Sequence, residues 1–122
     1  MAISSSADTA SALWYCGPGQ VEIRREQIAP PGQGDVRVKT LYSAISRGTE
    51  SLVFRGRVPA SEFERMRAPF MAGDFPFPVK YGYAAVGRVE NGGGPLQGKN
   101  VFALFPHQTA FNIPASAAVA LP

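Results

Sequence analysis

The chain has 122 residues, and its 45% hydrophobic content is enough for one ordinary domain with a single core. Its twelve basic and nine acidic residues are interspersed, which argues against a nucleic-acid-binding stripe. Cys16 is the only cysteine, so neither an internal disulfide nor a cysteine metal cluster is expected, and no apolar run approaches the ~20 residues of a membrane span. We therefore expect a soluble cytoplasmic protein that binds neither nucleic acid nor membrane.

Thirteen glycines and eleven prolines divide the chain into short segments, a pattern typical of a barrel or sandwich of short strands. Residues 1–11 are rich in Ser and Ala and are predicted to form a flexible N-terminal tail before a domain over residues 12–122. Residues 13–15 lead into a Gly-Pro-Gly turn, and residues 21–25 then alternate apolar with charged. This pattern predicts an opening β-hairpin.

Residues 36–45 alternate at first and then become continuously apolar, which predicts a strand that runs from the surface into the core. Thr49 is expected to cap a short helical turn that ends at Gly56, and residues 61–66 are a second candidate turn. Residues 69–78 combine aromatic side chains with prolines, which predicts a stiff apolar loop that lines a substrate pocket or packs on a partner domain. Further strands are predicted over 81–90, 100–105 and 110–113.

Three segments together resemble the N-terminal GroES-like domain of the medium-chain dehydrogenase/reductase superfamily, the relatives of alcohol dehydrogenase. Residues 44–50 (AISRGTE) lie where those enzymes carry a zinc-binding Cys, residues 81–89 (YGYAAVGRV) resemble their Gly-His-Glu segment, and residues 98–101 (GKNV) resemble their Gly-Asp-Arg-Val strand. The SRGTE and KYGY motifs are similar to those of a branch of zinc-type or bacteriochlorophyllide-related dehydrogenases. The resemblance implies a mainly β fold: a GroES-like, partly open barrel of short strands with one or two short helices.

The zinc-ligand positions of that superfamily are filled differently in this chain. Ser46 stands at the Cys position, Tyr83 at the His position and Ala84 at the Glu position, and an alternative alignment puts Arg47 at the Cys position. Catalytic zinc prefers thiolate and imidazole donors, whereas a neutral hydroxyl and a phenol are poor donors. The resemblance therefore predicts an enzyme of this class without zinc and without metal ligands.

Reduction without a Lewis acid needs hydrogen-bond donors and a proton source. Four residues are candidate catalytic groups: Thr49 matches the family hydroxyl that relays a proton, Tyr83 and Ser46 fill former ligand positions, and His107 is the only histidine. Three of these four residues also have a purely structural interpretation. Thr49 can be a helix cap, Tyr83 a core tyrosine, and His107 a surface or half-buried loop histidine hydrogen-bonded to backbone. Arg47 is the candidate cofactor-binding residue, because the resemblance implies a contact with the cofactor pyrophosphate.

The resemblance implies the catalytic domain of an NAD- or NADP-dependent oxidoreductase that transfers hydride to or from a carbonyl, an alcohol or an activated alkene. No Gly-x-Gly-x-x-Gly turn opens a helix in this chain, so the cofactor would be bound mainly by a Rossmann domain that the chain lacks. We expect the isolated chain to be inactive, with that domain, a small-molecule substrate and a second copy in a full-length homodimer as partners. The alternative is a co-chaperonin-like binding or assembly module with the same barrel.

Overall fold

The computed structural model describes residues 8–91 and 94–122. These residues form nine short strands, one α-helix and three 3-10 turns. The strands are β1 (Thr9–Gly17), β2 (Gln20–Gln27), β3 (Asp35–Ser43), β4 (Ala72–Gly73), β5 (Val79–Lys80), β6 (Ala85–Asn91), β7 (Asn100–Ala103), β8 (Ala110–Pro114) and β9 (Val119–Ala120). The helix α1 is Thr49–Arg55, and the 3-10 turns are Ala60–Glu62, Gly94–Leu96 and Ala115–Ala117. The mainly β class is confirmed.

The strands form two antiparallel sheets, one ordered β2-β1-β5-β4 and the other β8-β3-β6-β7-β9. Residues 107–109 join them, because the Leu13 N–H donates to the His107 carbonyl (3.0 Å) and the Thr109 N–H donates to the Ser11 carbonyl (2.9 Å) just before β8 pairs with β3. The result is the partly open GroES-like arrangement that the resemblance predicted. His107 lies at the seam between the two sheets.

The opening hairpin is confirmed, since β1 and β2 pair in antiparallel register from Thr9 opposite Gln27 to Gly17 opposite Gln20. Residues 9–11 belong to β1, although their composition predicted a tail, because their backbone pairs with that of β2. Residues 1–7 of the predicted tail lie outside the described residues. None of the helices in the described ranges is long and apolar enough to cross a membrane.

The short helix is confirmed, including its end. Gly56 adopts a left-handed φ of 69°, which closes α1 as its N–H donates to the Val53 carbonyl (3.1 Å). The predicted cap is wrong: Gly48 occupies the N-cap position, and Thr49 is the first helical residue. Ser46 takes over the side-chain bond, because its Oγ accepts from the Thr49 N–H at 3.3 Å.

The predicted strand over residues 81–90 begins four residues late, at Ala85. Gly82 has a φ of 151°, outside the β region of L-residues, so residues 81–84 leave the sheet geometry. The second candidate helix over 61–66 is a 3-10 turn of three residues, Ala60–Glu62. The apolar loop over 69–78 is confirmed as non-central, since its two-residue strand β4 lies at a sheet edge.

Two hydrophobic clusters hold the sheets together. The first, which we call the apolar core, lies under the five-stranded sheet and consists of Val36, Val38, Ala85, Val89, Val101, Ala103, Phe105, Phe111 and Ile113. The second, which we call the aromatic core, consists of Tyr15, Val53, Val58, Phe75, Val79 and Tyr81. The aromatic core adjoins the seam at His107, and the candidate site lies there.

Candidate functional site

Glu50 is a carboxylate in the first turn of α1, and it is only 1% exposed. Its Oε1 accepts a hydrogen bond from the Tyr15 hydroxyl (3.1 Å) and lies 2.5 Å from Nε2 of His107. Its Oε2 accepts from the Ser46 N–H at 2.6 Å. Three donors thus converge on one buried carboxylate, which is the pattern that compensates an ionised acid for its lost hydration.

His107 is 8% exposed, and both nitrogens of its ring are engaged by side chains. Nε2 faces Glu50, and Nδ1 lies 2.7 Å from Oγ of Ser43. Because an ionised carboxylate only accepts, the proton of a neutral His107 belongs on Nε2, and Nδ1 is then the acceptor of the Ser43 hydroxyl. The alternative of a histidine whose ring bonds to backbone is therefore wrong, since its ring partners are Glu50 and Ser43.

Gly82 lets His107 occupy this position. A Cβ at residue 82 would lie 2.8 Å from Nε2 of His107 and 3.3 Å from Cα of Pro106, closer than side chains tolerate. Its φ of 151° is also strained for any L-residue with a side chain. The glycine between the two tyrosines of the YGY segment is thus required by the approach of the imidazole.

Two buried tyrosines near Glu50 have raised pKa values, and one of them, Tyr15, donates its hydroxyl to Glu50. Burial raises the pKa of the Tyr15 hydroxyl, and the charge and hydrogen bond of Glu50 raise that pKa further. Burial likewise raises the pKa of Tyr81 to about 12, with smaller contributions from Tyr83 and Glu50. The Tyr81 hydroxyl donates to the Met66 carbonyl at 2.6 Å. Both phenols therefore remain protonated at neutral pH.

The five residues singled out in the sequence do not meet in one pocket. His107 lines a cavity of about 440 Å³, Ser46 and Arg47 line a second of about 550 Å³, and Thr49 and Tyr83 line a third of about 410 Å³. The first two cavities adjoin each other, as both are lined by Leu13 and Ile45. We call their joint apolar wall the apolar groove; it consists of Leu13, Val21, Ile23, Leu41, Ile45 and Phe54.

Glu50, Ser43 and Tyr15 are the site residues that the sequence reasoning missed. One local signal pointed to Glu50, because an acidic residue three positions before the buried Val53 lies on the same face of α1. No comparable signal exists for Ser43 or Tyr15. Their contacts to His107 and Glu50 span 64 and 35 residues of sequence.

The donor set at the former zinc positions does not fit zinc. The Ser46 hydroxyl accepts from the Thr49 N–H, and Tyr83 lines a different cavity from Ser46. A neutral hydroxyl and a phenol are weak ligands for this ion. The absence of zinc from the enzyme stays a prediction.

Arg47 is exposed and lines the second cavity beside Ser46. Within residues 8–91 and 94–122 its guanidinium forms no ion pair, in contrast to Arg24 and Arg67, which bind acidic side chains. An exposed guanidinium at the mouth of an apolar cavity is suited to bind a phosphate group. Its position is therefore compatible with the contact to a cofactor pyrophosphate expected from the sequence.

No protein-family model matches the chain. Among curated proteins, it is 32% identical over 79 residues to 2-desacetyl-2-hydroxyethyl bacteriochlorophyllide A dehydrogenase of Cereibacter sphaeroides, a match that covers 65% of this chain and 21% of the relative.

Solved structures include similar folds. A short chain alcohol dehydrogenase from E. coli CFT073, solved with NADH, aligns over 94% of this chain and 39% of its own with a TM-score of 0.64 and 17% identity. A proposed NADPH:quinone reductase from Bacillus thuringiensis aligns over 93% and 34%, with a TM-score of 0.61 and 22% identity. The quinone oxidoreductase of Thermus thermophilus aligns over 92% and 32%, with a TM-score of 0.51 and 20% identity.

The comparisons confirm the resemblance to the medium-chain dehydrogenase/reductases at the level of fold. The chain has the fold of the GroES-like N-terminal part of these oxidoreductases and spans about a third of the length of the solved structures. It spans about a fifth of the curated relative. The remaining two thirds of the solved relatives have no counterpart among these 122 residues.

Proposed function

We propose that the chain is the substrate-side domain of an NAD- or NADP-dependent oxidoreductase, which transfers hydride to or from a carbonyl, an alcohol or an activated alkene. The observation that carries the proposal is the buried Glu50–His107 pair, which lies at the base of the apolar groove. The similarity to an NADH-bound dehydrogenase and two quinone reductases supports it.

The Glu50–His107 pair supplies what hydride chemistry needs beyond the cofactor. Oxidation of an alcohol releases a proton, and reduction of a carbonyl consumes one, so a group that gains and loses a proton near neutral pH accelerates both directions. Imidazole is the side chain suited to this exchange, and the carboxylate of Glu50, 2.5 Å from Nε2 of His107, fixes the orientation of the ring. The walls of Leu13, Ile23 and Ile45 suit a substrate with an apolar body.

The nicotinamide cofactor would supply the hydride, and Arg47 would bind its pyrophosphate from the second cavity. We propose that the enzyme works without zinc, since Ser46 and Tyr83 replace the thiolate and imidazole of zinc-dependent relatives. Ser46 then acts through its bonds at the start of α1, and Thr49 and Tyr83 would contact a substrate that extends into the third cavity.

We further propose that most of the cofactor is held by a Rossmann domain outside these residues, so that residues 12–122 alone catalyse no turnover. The working enzyme would be cytoplasmic, and pairing of two full-length copies is proposed by analogy with this class. Side chains of the apolar groove are exposed, with Ile23 at 67%, as expected for a surface that a substrate or a second domain covers.

The test compares the 122-residue chain with the full product of its reading frame. Each is assayed for loss of NADPH or NADH absorbance with a panel of aryl ketones, quinones and enones, and for cofactor binding by calorimetry. The full product is expected to oxidise one cofactor, to lose at least about tenfold in kcat on His107→Gln substitution, and to keep its rate after metal chelation. The chain alone is expected to show no turnover.

Three outcomes would contradict parts of the proposal separately. Micromolar cofactor binding by the chain alone would contradict the missing-domain part, and loss of activity on chelation that zinc restores would contradict the zinc-free part. No hydride transfer by the full product with any of the three substrate types would contradict the function itself. A discrete heptamer in light scattering would favour the co-chaperonin-like alternative.

A further inference from the structure

Both ring nitrogens of His107 are already engaged by other side chains. Its ring is 8% exposed, Nε2 lies against the buried Glu50, and Nδ1 is covered by the Ser43 hydroxyl at 2.7 Å. A substrate oxygen could reach Nδ1 only by displacing Ser43. Any proton exchanged between the imidazole and a bound substrate must therefore pass through a group that contacts both.

Ser43 is such a group. It is the last residue of β3, it is exposed, and it lines the first cavity together with Leu41, Ile45 and the ring of His107. Its position is set by the backbone on both sides, since Ser43 pairs with Ala85 of β6 and the next N–H, that of Ala44, donates to the Ala84 carbonyl (3.0 Å). The hydroxyl is thus held between the imidazole and the open cavity.

We propose that Ser43 is the catalytic hydroxyl of this site and that Ser43, His107 and Glu50 form a proton relay from the cavity into the seam between the sheets. The inference rests on the proposed function and assigns the group that contacts the substrate oxygen. The substrate class is an alcohol or ketone on an apolar body, with its oxygen at Ser43 and its body along the apolar groove.

The relay balances for alcohol oxidation. The substrate O–H proton moves to Oγ of Ser43, and the former Ser43 proton moves to Nδ1 of His107. An oxidised nicotinamide held by another domain would accept the hydride that leaves the substrate C–H bond. The alcohol becomes a carbonyl, and the imidazolium that forms keeps its Nε2–H on the Glu50 carboxylate. Ketone reduction runs the same steps backwards from the imidazolium. Tyr15 and the Ser46 N–H hold the carboxylate in place, so Glu50 is a positioning residue.

The first experiment uses the 122-residue chain. Nitrogen-15 NMR of the only histidine ring in its neutral form is expected to show Nε2 protonated and Nδ1 unprotonated but hydrogen-bonded. Ser43→Ala is expected to shift the Nδ1 resonance toward that of a free acceptor, while Ser43→Thr, which keeps the hydroxyl, restores it. A wild-type ring with its proton on Nδ1 would overturn the proposal.

The second experiment uses the full product of the reading frame. Ser43→Ala is expected to lower kcat for alcohol oxidation at least about tenfold with KM changed less than about threefold, and to reduce the solvent deuterium isotope effect on kcat. Ser43→Thr is expected to recover most of the rate. Ser61→Ala, an exposed serine in the turn after α1, is the matched control and is expected to leave the rate unchanged.

The outcomes separate this inference from the function on which it rests. Wild-type hydride transfer with an unchanged kcat in Ser43→Ala would overturn the relay and leave the oxidoreductase proposal standing. An equal loss in Ser43→Ala and Ser43→Thr, with the isotope effect unchanged, would assign Ser43 a structural role and would also overturn the relay. Absence of hydride transfer in the wild type would overturn both.

Discussion

The two cores of this domain differ in the polarity of the side chains that they bury. The apolar core contains only hydrocarbon side chains, and its largest fully buried member, Phe111, is 1% exposed and stacked on Phe105 with ring centroids 4.0 Å apart. The aromatic core includes two tyrosines, and the buried carboxylate of Glu50 and imidazole of His107 lie beside it. The side chains of the apolar core bury only hydrocarbon, although Arg37 of the same sheet is 4% exposed and pairs with Asp8, whereas the aromatic core adjoins a buried carboxylate and imidazole that depend on each other.

This difference predicts which core tolerates side-chain substitution and which core does not. Hydrocarbon burial is roughly proportional to area and tolerates any packing that fills the volume. A buried carboxylate with three donors depends on each partner, because a donor left without an acceptor retains its full desolvation cost. The apolar core is therefore the stabilising half of this comparison. The aromatic core is the exacting half, because its stability depends on the geometry of the candidate site.

The largest expected effect breaks the stabilising half. Phe111→Ala is expected to lower the free energy of unfolding by about 3–5 kcal/mol, because it removes a fully buried ring and leaves a cavity against Phe105. Urea denaturation followed by circular dichroism measures it. Ile23→Ala, at a 67% exposed position, is the control and is expected to cost less than about 0.5 kcal/mol. Equal losses in the two variants would refute the distinction between core and groove.

The next effect tests the exacting half with a change of only one atom type. Glu50→Gln is expected to cost about 2 kcal/mol, because the amide has one acceptor oxygen for the three donors from Tyr15, Ser46 and His107. Urea denaturation at neutral pH checks it. Glu64→Gln makes the same change at an exposed position and is expected to be within about 0.5 kcal/mol of wild type. A Glu50→Gln variant as stable as Glu64→Gln would show that the buried charge is not needed.

The smallest expected effect is on the pH dependence of stability, through Tyr81 of the aromatic core. The folded state raises the pKa of Tyr81 from 10.0 to about 12, so its contribution to stability is complete below pH 10 and is lost as the pH rises toward 12. Tyr81→Phe is expected to cost about 1 kcal/mol at neutral pH, through the lost bond to the Met66 carbonyl, and to flatten the alkaline decline.

Urea midpoints at several pH values between about 8 and about 11 measure this decline. The control is Tyr42→Phe at a 75% exposed ring, which is expected to change neutral-pH stability by less than about 0.5 kcal/mol. An alkaline decline as steep in Tyr81→Phe as in wild type would contradict the assignment.

Much of the fold was predictable from local pattern. Alternation predicted β2 and the existence of β3, and Gly56 predicted the end of α1 through its left-handed conformation. The predicted direction of β3 from the surface into the core was wrong, because Val36 and Val38 are buried whereas Leu41 and Tyr42 are 50% and 75% exposed. The cap prediction failed because two hydroxyl residues lie near the start of α1, and only the path of the chain decides that Ser46, not Thr49, supplies the acceptor.

The candidate site was predictable only in part. The family resemblance pointed to residues 46–49 and 83 by position, and the uniqueness of His107 drew attention to it, but the described structure distributes these residues over three cavities. Neither Ser43 nor Tyr15 stands out in the sequence. Each is an ordinary strand residue whose role depends on a partner far along the chain.

The Glu50–His107 pair shows the difference between what the sequence determines and what only the tertiary structure decides. The sequence by itself determined the β-rich class and most of the strand pattern, because these depend on residue type and near neighbours. Only the tertiary structure decided that a carboxylate, an imidazole and a hydroxyl meet across 57 and 64 residues of chain. The seam between the sheets brings them together, and burial there converts three common side chains into a candidate proton relay.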